Sequence, residues 1–213
     1  MNLKIGDKNI TIRKWKGRDK KNFLQHLRDD SHPRELLNSL VYDNIVPSVP
    51  LSPDEFKFVL SRIRAISLGE EFTAEFYCGE CGEVFEQEFL LRDAIRHTEP
   101  TPVRELRAGN TVIQLGEIRN KDFYIDRIQE NADYDFLLRI ASINGNDGFT
   151  LEELEALIDD LDIDVLTNIL EQWEAARFTV DDVNDVQCEC GETQTYQFDE
   201  IPGFLPESWF GED

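Results

Sequence analysis

Two stretches of the chain alternate apolar and polar residues in the way that β-hairpins do. Near the start, residues 3–5 and 10–13 both alternate, and the polar segment 6–9 with its glycine separates them. In the second stretch, 71–77 and 84–90, phenylalanines alternate with polar residues. A two-residue period puts the apolar side chains on one face of a strand, so each stretch predicts an antiparallel hairpin. Further strands are expected at 103–106, at 111–115 and on both sides of Cys188.

Apolar residues spaced three or four apart predict helices in much of the remaining chain. The clearest helix start has Ser52 as its N-cap, Pro53 at the first helical position and Glu55 closing a capping box. Thr150 and Glu153 have the same spacing. Helices are predicted at 19–30, with Asp19 as N-cap, and at 33–46, 53–68, 120–143, 151–160 and 162–177. These segments predict an α+β protein with a mostly helical body.

The four cysteines of the chain fall in two close pairs, Cys78 with Cys81 and Cys188 with Cys190. A glycine follows each pair, and glycine readily takes the positive φ that turns backbone N–H groups toward sulfur. Each pair is flanked by predicted strands, although 106 residues separate Cys81 from Cys188. The sequence therefore predicts a small four-cysteine, zinc-ribbon-like β unit that two distant hairpins form together.

A structural metal is the favoured interpretation of these four residues. Zinc is the first choice, and an iron–sulfur cluster, which also takes four thiolates, is the alternative metal group. Free or redox-active thiols and disulfides are the other interpretations. Reduced thiols are expected in an intracellular chain, and a redox Cys-x-x-Cys pair usually begins a helix rather than capping a hairpin. The predicted ligands are Cys78, Cys81, Cys188 and Cys190.

These patterns divide the chain into four predicted parts. Residues 1–70 form an N-terminal hairpin with helices, and 71–92 together with 178–200 form the metal-clamped β unit. Residues 93–177 form a mixed strand and helical insert. The tail, 201–213, carries several large apolar side chains. It is expected either to pack back onto the core or to dock on a partner as an extended segment.

Charge is distributed unevenly along the chain, whose net charge is −22. Residues 1–34 hold ten Lys and Arg against four Asp and Glu, whereas 141–213 hold one Arg against twenty acidic residues. Such acidity argues against binding to nucleic acid, where phosphate contacts dominate affinity. It fits docking onto proteins, or simply a solvated surface. A basic cluster could face an anionic partner, although a solvated helix start is favoured: Lys14, Lys16, Arg18, Lys20 and Lys21.

The sequence contains none of the usual catalytic motifs. It has no glycine-rich phosphate loop, no Gly-x-Ser-x-Gly, and its three histidines, His26, His32 and His97, are scattered. Residues 144–148 do not have the ligand register of an EF-hand and are expected to form a turn. A metal ion bound by four thiolates would have no open coordination position for catalysis. No apolar run suits a membrane span or a signal peptide, so a cytosolic non-enzyme is expected.

Several segments together resemble one known family. They are the opening 12–15, the helix start 51–55 with 58–60 inside it, 63–69 leading into a strand, the Cys78 and Cys81 pair, and the late Cys188 and Cys190 pair. Because these segments occur in this order, the chain is similar to the baseplate hub assembly proteins of T4-like contractile-tailed bacteriophages. The resemblance spans most of the chain.

The resemblance implies a role in building the virion. Such a protein would be a minor subunit or an assembly chaperone of the baseplate hub. Its partners would be other hub proteins, and binding to a membrane or to nucleic acid is not expected. It would act in the cytoplasm of an infected bacterium, and the finished baseplate is a second expected location. The alternative is a zinc-ribbon regulatory adaptor that binds a host or phage protein such as a polymerase.

Overall fold

The computed structural model describes residues 1–6, 8–28, 33–98, 103–116, 133–197, 204–205 and 209. The helices in this part of the chain are α1 (Gly17–Arg28), α2 (Pro33–Tyr42), α3 (Pro53–Leu68), α4 (Leu91–Ala94), α5 (Asp133–Arg139), α6 (Leu151–Asp159) and α7 (Ile163–Ala176). The strands are β1 (Asn2–Ile5), β2 (Lys8–Ile12), β3 (Ile45–Val46), β4 (Glu71–Tyr77), β5 (Val84–Leu90), β6 (Arg96–Thr98), β7 (Glu105–Ala108), β8 (Thr111–Leu115), β9 (Ile140–Ile143), β10 (Thr179–Asp181), β11 (Val183–Gln187) and β12 (Thr193–Gln197).

The prediction of a mostly helical body is wrong, because strands contribute nearly as much of the structure as helices do. The helix predicted at 33–46 ends at Tyr42, and β3 follows it. The helix predicted at 120–143 is confirmed only for residues 133–139, which form α5. Residues 120–132 lie outside the described residues, and residues 140–143 form β9. Both misassigned ends contain β-branched residues that favour strands, and a short apolar run does not by itself separate helix from strand.

The strands form small antiparallel sheets of two or three strands each. Their strand orders are β1-β2-β3, β4-β5, β7-β8-β9, β10-β6 and β11-β12. The predicted hairpins at the start of the chain and around Cys78 are therefore confirmed. Strand β10 does not join the hairpin that follows it, because it pairs with β6 instead. The β unit predicted at 178–200 is thus a two-stranded hairpin preceded by a strand of a different sheet.

Helix starts agree with the sequence where a full capping box is present. In α3 the Ser52 side chain accepts from the Glu55 backbone N–H, and the Glu55 carboxylate accepts from the Ser52 backbone N–H at 2.6 Å. Thr150 and Glu153 cap α6 in the same way. The prediction that Asp19 is an N-cap is wrong. Helix α1 begins at Gly17, and the Asp19 carboxylate accepts from the Lys16 backbone N–H within the first turn.

Two clusters of buried side chains form the interior. The first core combines residues of β1 and β2, of α1 to α3, of the strands around both cysteine pairs, and of the tail. The second core lies among β7 to β9 and α5 to α7. The cysteine-bearing hairpins therefore share one core with the N-terminal part of the chain. The four-part division of the chain stays a prediction.

The described residues of the tail pack on the first core. Phe204, Leu205 and Trp209 are buried. The Trp209 ring lies 5.2 Å from the Trp15 ring and 5.7 Å from the Phe23 ring, measured between centroids. Of the two expectations for the tail, packing back onto the core holds for these three residues.

Candidate metal centre

The first cysteine turn, residues 78–82, is the tip of the β4–β5 hairpin. The Cys78 backbone N–H donates to the Glu83 carbonyl, and the Gly82 N–H donates to the Cys78 carbonyl, both at 2.9 Å. Gly82 has a φ of 75°, a value that L-residues with a side chain rarely adopt. This tight turn places the Cys78 and Cys81 side chains on one side of the bend. Cys78 is buried and Cys81 is exposed.

The second cysteine turn, residues 188–191, joins β11 to β12 by the same construction. The Cys188 N–H donates to the Glu192 carbonyl, and the Gly191 N–H donates to the Cys188 carbonyl, both at 2.9 Å. Gly191 has a φ of 94°. Cys188 is buried and Cys190 is exposed. The Cys-x-Cys spacing, shorter than that of the first pair, is therefore compatible with an equivalent turn.

The two turns face each other and bring the four sulfur atoms together. The Cys78 and Cys190 Sγ atoms are 3.6 Å apart, as are those of Cys81 and Cys188, and all four lie within 4.8 Å of one another. A disulfide needs an S–S distance of about 2.0 Å. Four sulfurs at about 2.3 Å from a zinc ion would be about 3.8 Å apart. The four thiols are thus unpaired and close enough to hold one metal ion.

Contacts behind the sulfur atoms hold the hairpins against each other. The Phe76 ring of β4 lies 4.9 Å from the Tyr196 ring of β12. The Gln194 side-chain amide donates to the Tyr77 carbonyl at 3.2 Å. Val186 of β11 is fully buried in the first core. The sulfur cluster therefore closes a junction that aromatic packing already forms.

The comparison with protein families places this chain in one family. The model of a family described as T4 bacteriophage base plate protein matches residues 1–206. The chain belongs to this family. No curated protein and no solved structure matches the chain. The sequence resemblance to T4-like phage baseplate proteins is therefore confirmed, whereas a place in the baseplate hub stays a prediction.

In this baseplate protein the thiols differ in their readiness to ionise. The Cys81 backbone N–H lowers the pKa of Cys78 to about 7, with help from the Glu80 N–H and against the effect of burial. The Glu83 backbone N–H lowers the pKa of Cys81. The neighbouring thiols and burial outweigh this effect and raise the pKa of Cys81 to about 12. Cys188 also has a raised pKa: the Cys190 N–H lowers it, and burial with the neighbouring thiols more than offsets this. The pKa of Cys78 is thus lowered, whereas the pKa values of Cys81 and Cys188 are raised.

Sequence reasoning missed the residues that anchor the second hairpin of this baseplate protein. The Lys57 ammonium, on α3, lies 2.7 Å from the Asp182 carboxylate and donates to the Gln197 side chain at 3.1 Å. The Asn184 amide donates to the Ala94 carbonyl. Neither pair has a local sequence pattern, since each joins residues about 90 or more positions apart.

Other residues singled out in the sequence lie away from the sulfur cluster. Four of the five basic side chains near α1 are exposed, as a solvated helix start requires, and Lys20 is half-buried. His97 packs between the rings of Phe58 and Phe178, at 4.4 and 5.6 Å. Residues 144–148 form the expected turn, in which the Asn144 side chain accepts from the Val112 N–H. No helix among the described residues has the length and apolar character needed to cross a bilayer.

Proposed function

We propose that this chain is a structural or assembly-chaperone protein of the baseplate hub. The observation that carries the proposal is the family match over residues 1–206. The protein acts through contacts with other baseplate proteins and catalyses no reaction. It assembles in the cytoplasm of the infected bacterium, and it can remain in the finished baseplate.

Cys78, Cys81, Cys188 and Cys190 hold one structural zinc ion in this proposal. The distances among their sulfur atoms, all within 4.8 Å, support a single ion. An iron–sulfur cluster would place several iron and sulfide atoms between the thiolates and spread them farther apart. With four thiolates bound, a tetrahedral ion has no open position for a substrate or for a reactive water. The ion therefore serves the fold.

The structural role of the zinc ion follows from the places at which the two hairpins contact each other and the rest of the fold. Lys57, Asn184 and the contact between the Phe76 and Tyr196 rings all fix the second hairpin near its base, since Tyr196 is the cross-strand partner of Asn184. At the tips, where Cys81 and Cys190 are exposed, the two hairpins meet at the four sulfur atoms and at the Gln194–Tyr77 hydrogen bond. Metal binding would therefore fix the tips and present a rigid surface to the partner proteins.

Co-purification from infected cells tests this function. The tagged protein is expected to recover other baseplate proteins, and antibody labelling of purified particles then tells a subunit from a chaperone that leaves. Recovery of a polymerase without baseplate proteins would instead support the regulatory adaptor. Recovery of neither would leave the hub assignment without support.

A further inference from the structure

A groove lies beside the base of the first cysteine hairpin, away from the sulfur atoms. Its volume is about 850 Å³, within the range of pockets that bind ligands. One wall is formed by the paired ends of β4 and β5 together with α4. The other wall is formed by the end of β10 and the start of β11. The two cysteine hairpins thus enclose a groove at their bases as well as the sulfur cluster at their tips.

The groove has apolar side chains beside acidic ones. Phe72 and Phe89 stack with their ring centroids 5.2 Å apart, and Phe89 and Leu90 are only half-buried. Val183 is 59% exposed, although it is a large apolar side chain. Ala94 also lines the groove. Apolar surface that is left open in this way favours an apolar partner group.

Five acidic residues line the same groove, and its one basic residue among the described residues is Arg96, the cross-strand partner of Asp181. The acidic residues are Glu71, Glu88, Asp93, Asp181 and Asp185. All five are exposed. Within the described part of the chain, the structure pairs none of the five with a Lys or Arg side chain. A groove with this charge attracts cationic side chains and repels acidic ones.

The walls also suit an extended chain. Strand β5 pairs only with β4, and β11 pairs only with β12, so each keeps one edge without a strand partner in the described residues. An extended segment that adds to such an edge alternates its side chains between two faces. At the β5 edge, where Phe89 and Glu88 lie on opposite faces, a segment with alternating basic and apolar residues would therefore match both the acidic residue and the open apolar surface.

We propose that this groove binds an extended, lysine- or arginine-bearing segment of a partner protein in the baseplate, with its apolar residues against Phe89 and Val183. The inference rests on the proposed function, since it names the surface through which that function works. It requires no metal ion in the groove and no contact with the four cysteines.

A fluorescein-labelled peptide, Val-Lys-Val-Lys-Val-Lys-Val, is the probe for the groove. Its binding to the full chain is measured by fluorescence anisotropy. Two reference peptides replace Lys by Glu, or Val by Gly. The Lys-Val peptide is expected to bind at least about tenfold more tightly than either reference, because charge and apolar contact are both needed.

Paired variants locate the binding site. Asp93→Asn with Asp181→Asn removes two groove charges, and the matched control, Asp159→Asn with Glu171→Gln, removes two exposed charges on α6 and α7. The groove pair is expected to weaken peptide binding about tenfold and the control pair less than about twofold, because only the groove pair removes charges from residues that line the groove. Equal losses would mean diffuse attraction to an acidic surface and would overturn the proposal, as would the absence of any binding.

Two further outcomes separate this proposal from others. Self-association of the wild-type chain that the groove pair abolishes would assign the groove to a second copy, which also contradicts a partner segment. Recovery of baseplate proteins by the wild-type chain is measured in parallel. If it succeeds equally with the groove pair, the proposed function stands and the groove is excluded. If it fails with the wild type, the proposed function itself falls.

Discussion

Cys78 and Cys188 are buried, whereas Cys81 and Cys190 reach the surface, yet all four belong to one cluster. This division follows from the turns, in which the first cysteine continues a strand that packs on the core and the last one lies beyond the bend. The sequence does not show which sulfur atoms come within 3.6 Å of each other, namely Cys78 with Cys190 and Cys81 with Cys188. Spacing within each pair indicates a turn, but only the fold determines which sulfurs meet across more than 100 residues.

Replacing a single cysteine removes the metal in our account. Cys78→Ser and Cys190→Ser should each lower the free energy of unfolding by about 4 kcal/mol when free zinc is 1,000-fold above its dissociation constant. Chemical unfolding with and without a zinc chelator measures this, and Thr193→Ser in the same hairpin is the control. A chelator that destabilises the wild type and both cysteine variants equally would contradict a shared site.

Acid should release the metal. The raised pKa of Cys81, about 12, keeps this thiol protonated at neutral pH in the metal-free protein, so the ion must displace a proton to bind. Lower pH favours the protonated, metal-free form, and zinc affinity is therefore expected to fall steadily as pH is lowered from 8 to about 5. Competition with a zinc-binding dye across this range measures the affinity. A constant affinity would exclude thiolate ligands.

Arg64 shows a limit of sequence reasoning at a single position. The apolar spacing of α3 places Arg64 off the core-facing stripe, but the structure buries it to 4% exposure. Its guanidinium donates to the carbonyls of Phe204, Gly69 and Glu71. A long cation is rarely buried without partners, and these partners are backbone atoms that no sequence pattern reveals.

Loss of these bonds should be costly. Arg64→Met removes the donor to three backbone carbonyls, of which the bond to Phe204 is buried, and is expected to lower the free energy of unfolding by about 2–4 kcal/mol. Arg62→Met on the same helix is the matched control, because Arg62 contacts the Phe58 ring at 4.8 Å, an interaction of about 0.5–1 kcal/mol. Urea unfolding of both variants makes the comparison. Equal effects would mean that the Arg64 hydrogen bonds contribute little.

Among the helices and strands, those with two independent sequence features were predicted well. The hairpin 71–90 combines alternation with a Cys-x-x-Cys-Gly turn, and α3 combines an apolar stripe with a complete capping box. By contrast, 140–143 has only apolar character, and pairing with β8 decides in favour of a strand. The partner of β10 also depends on the fold, because β6 lies about 80 residues away in the chain.

The junction between the two cysteine hairpins has its own test. Phe76→Ala removes a buried ring that contacts Tyr196, Phe85 and Phe89, and should lower the free energy of unfolding by about 3–5 kcal/mol. It should also weaken zinc binding, since the two turns lose their packing behind the sulfurs. Val84→Ala, at an exposed position of the same hairpin, is the control. Unchanged zinc affinity in Phe76→Ala would show that the turns form the site independently.

Ion pairs at the start of α3 link residues that lie beside the two cores. Glu55 accepts from the Lys8 ammonium of β2, beside the first core, and lies 3.9 Å from the Arg139 guanidinium beside the second. Asp54 lies 3.7 Å from Arg177 in the same region. The capping pattern of residues 52–55 predicts the helix start but not these ion pairs. The first core also gathers the N-terminal hairpin, both cysteine hairpins and the described tail residues, an arrangement that no local pattern encodes.

Metal content of the freshly purified full chain tests the central claim most directly. Elemental analysis with an absorption spectrum, repeated on Cys188→Ser, should give about one zinc per wild-type chain, no visible colour, and little zinc in the variant. The thiols should resist a thiol reagent until a chelator is added. A metal-free wild-type chain with four immediately reactive thiols would contradict the claim that the four cysteines form a structural metal site.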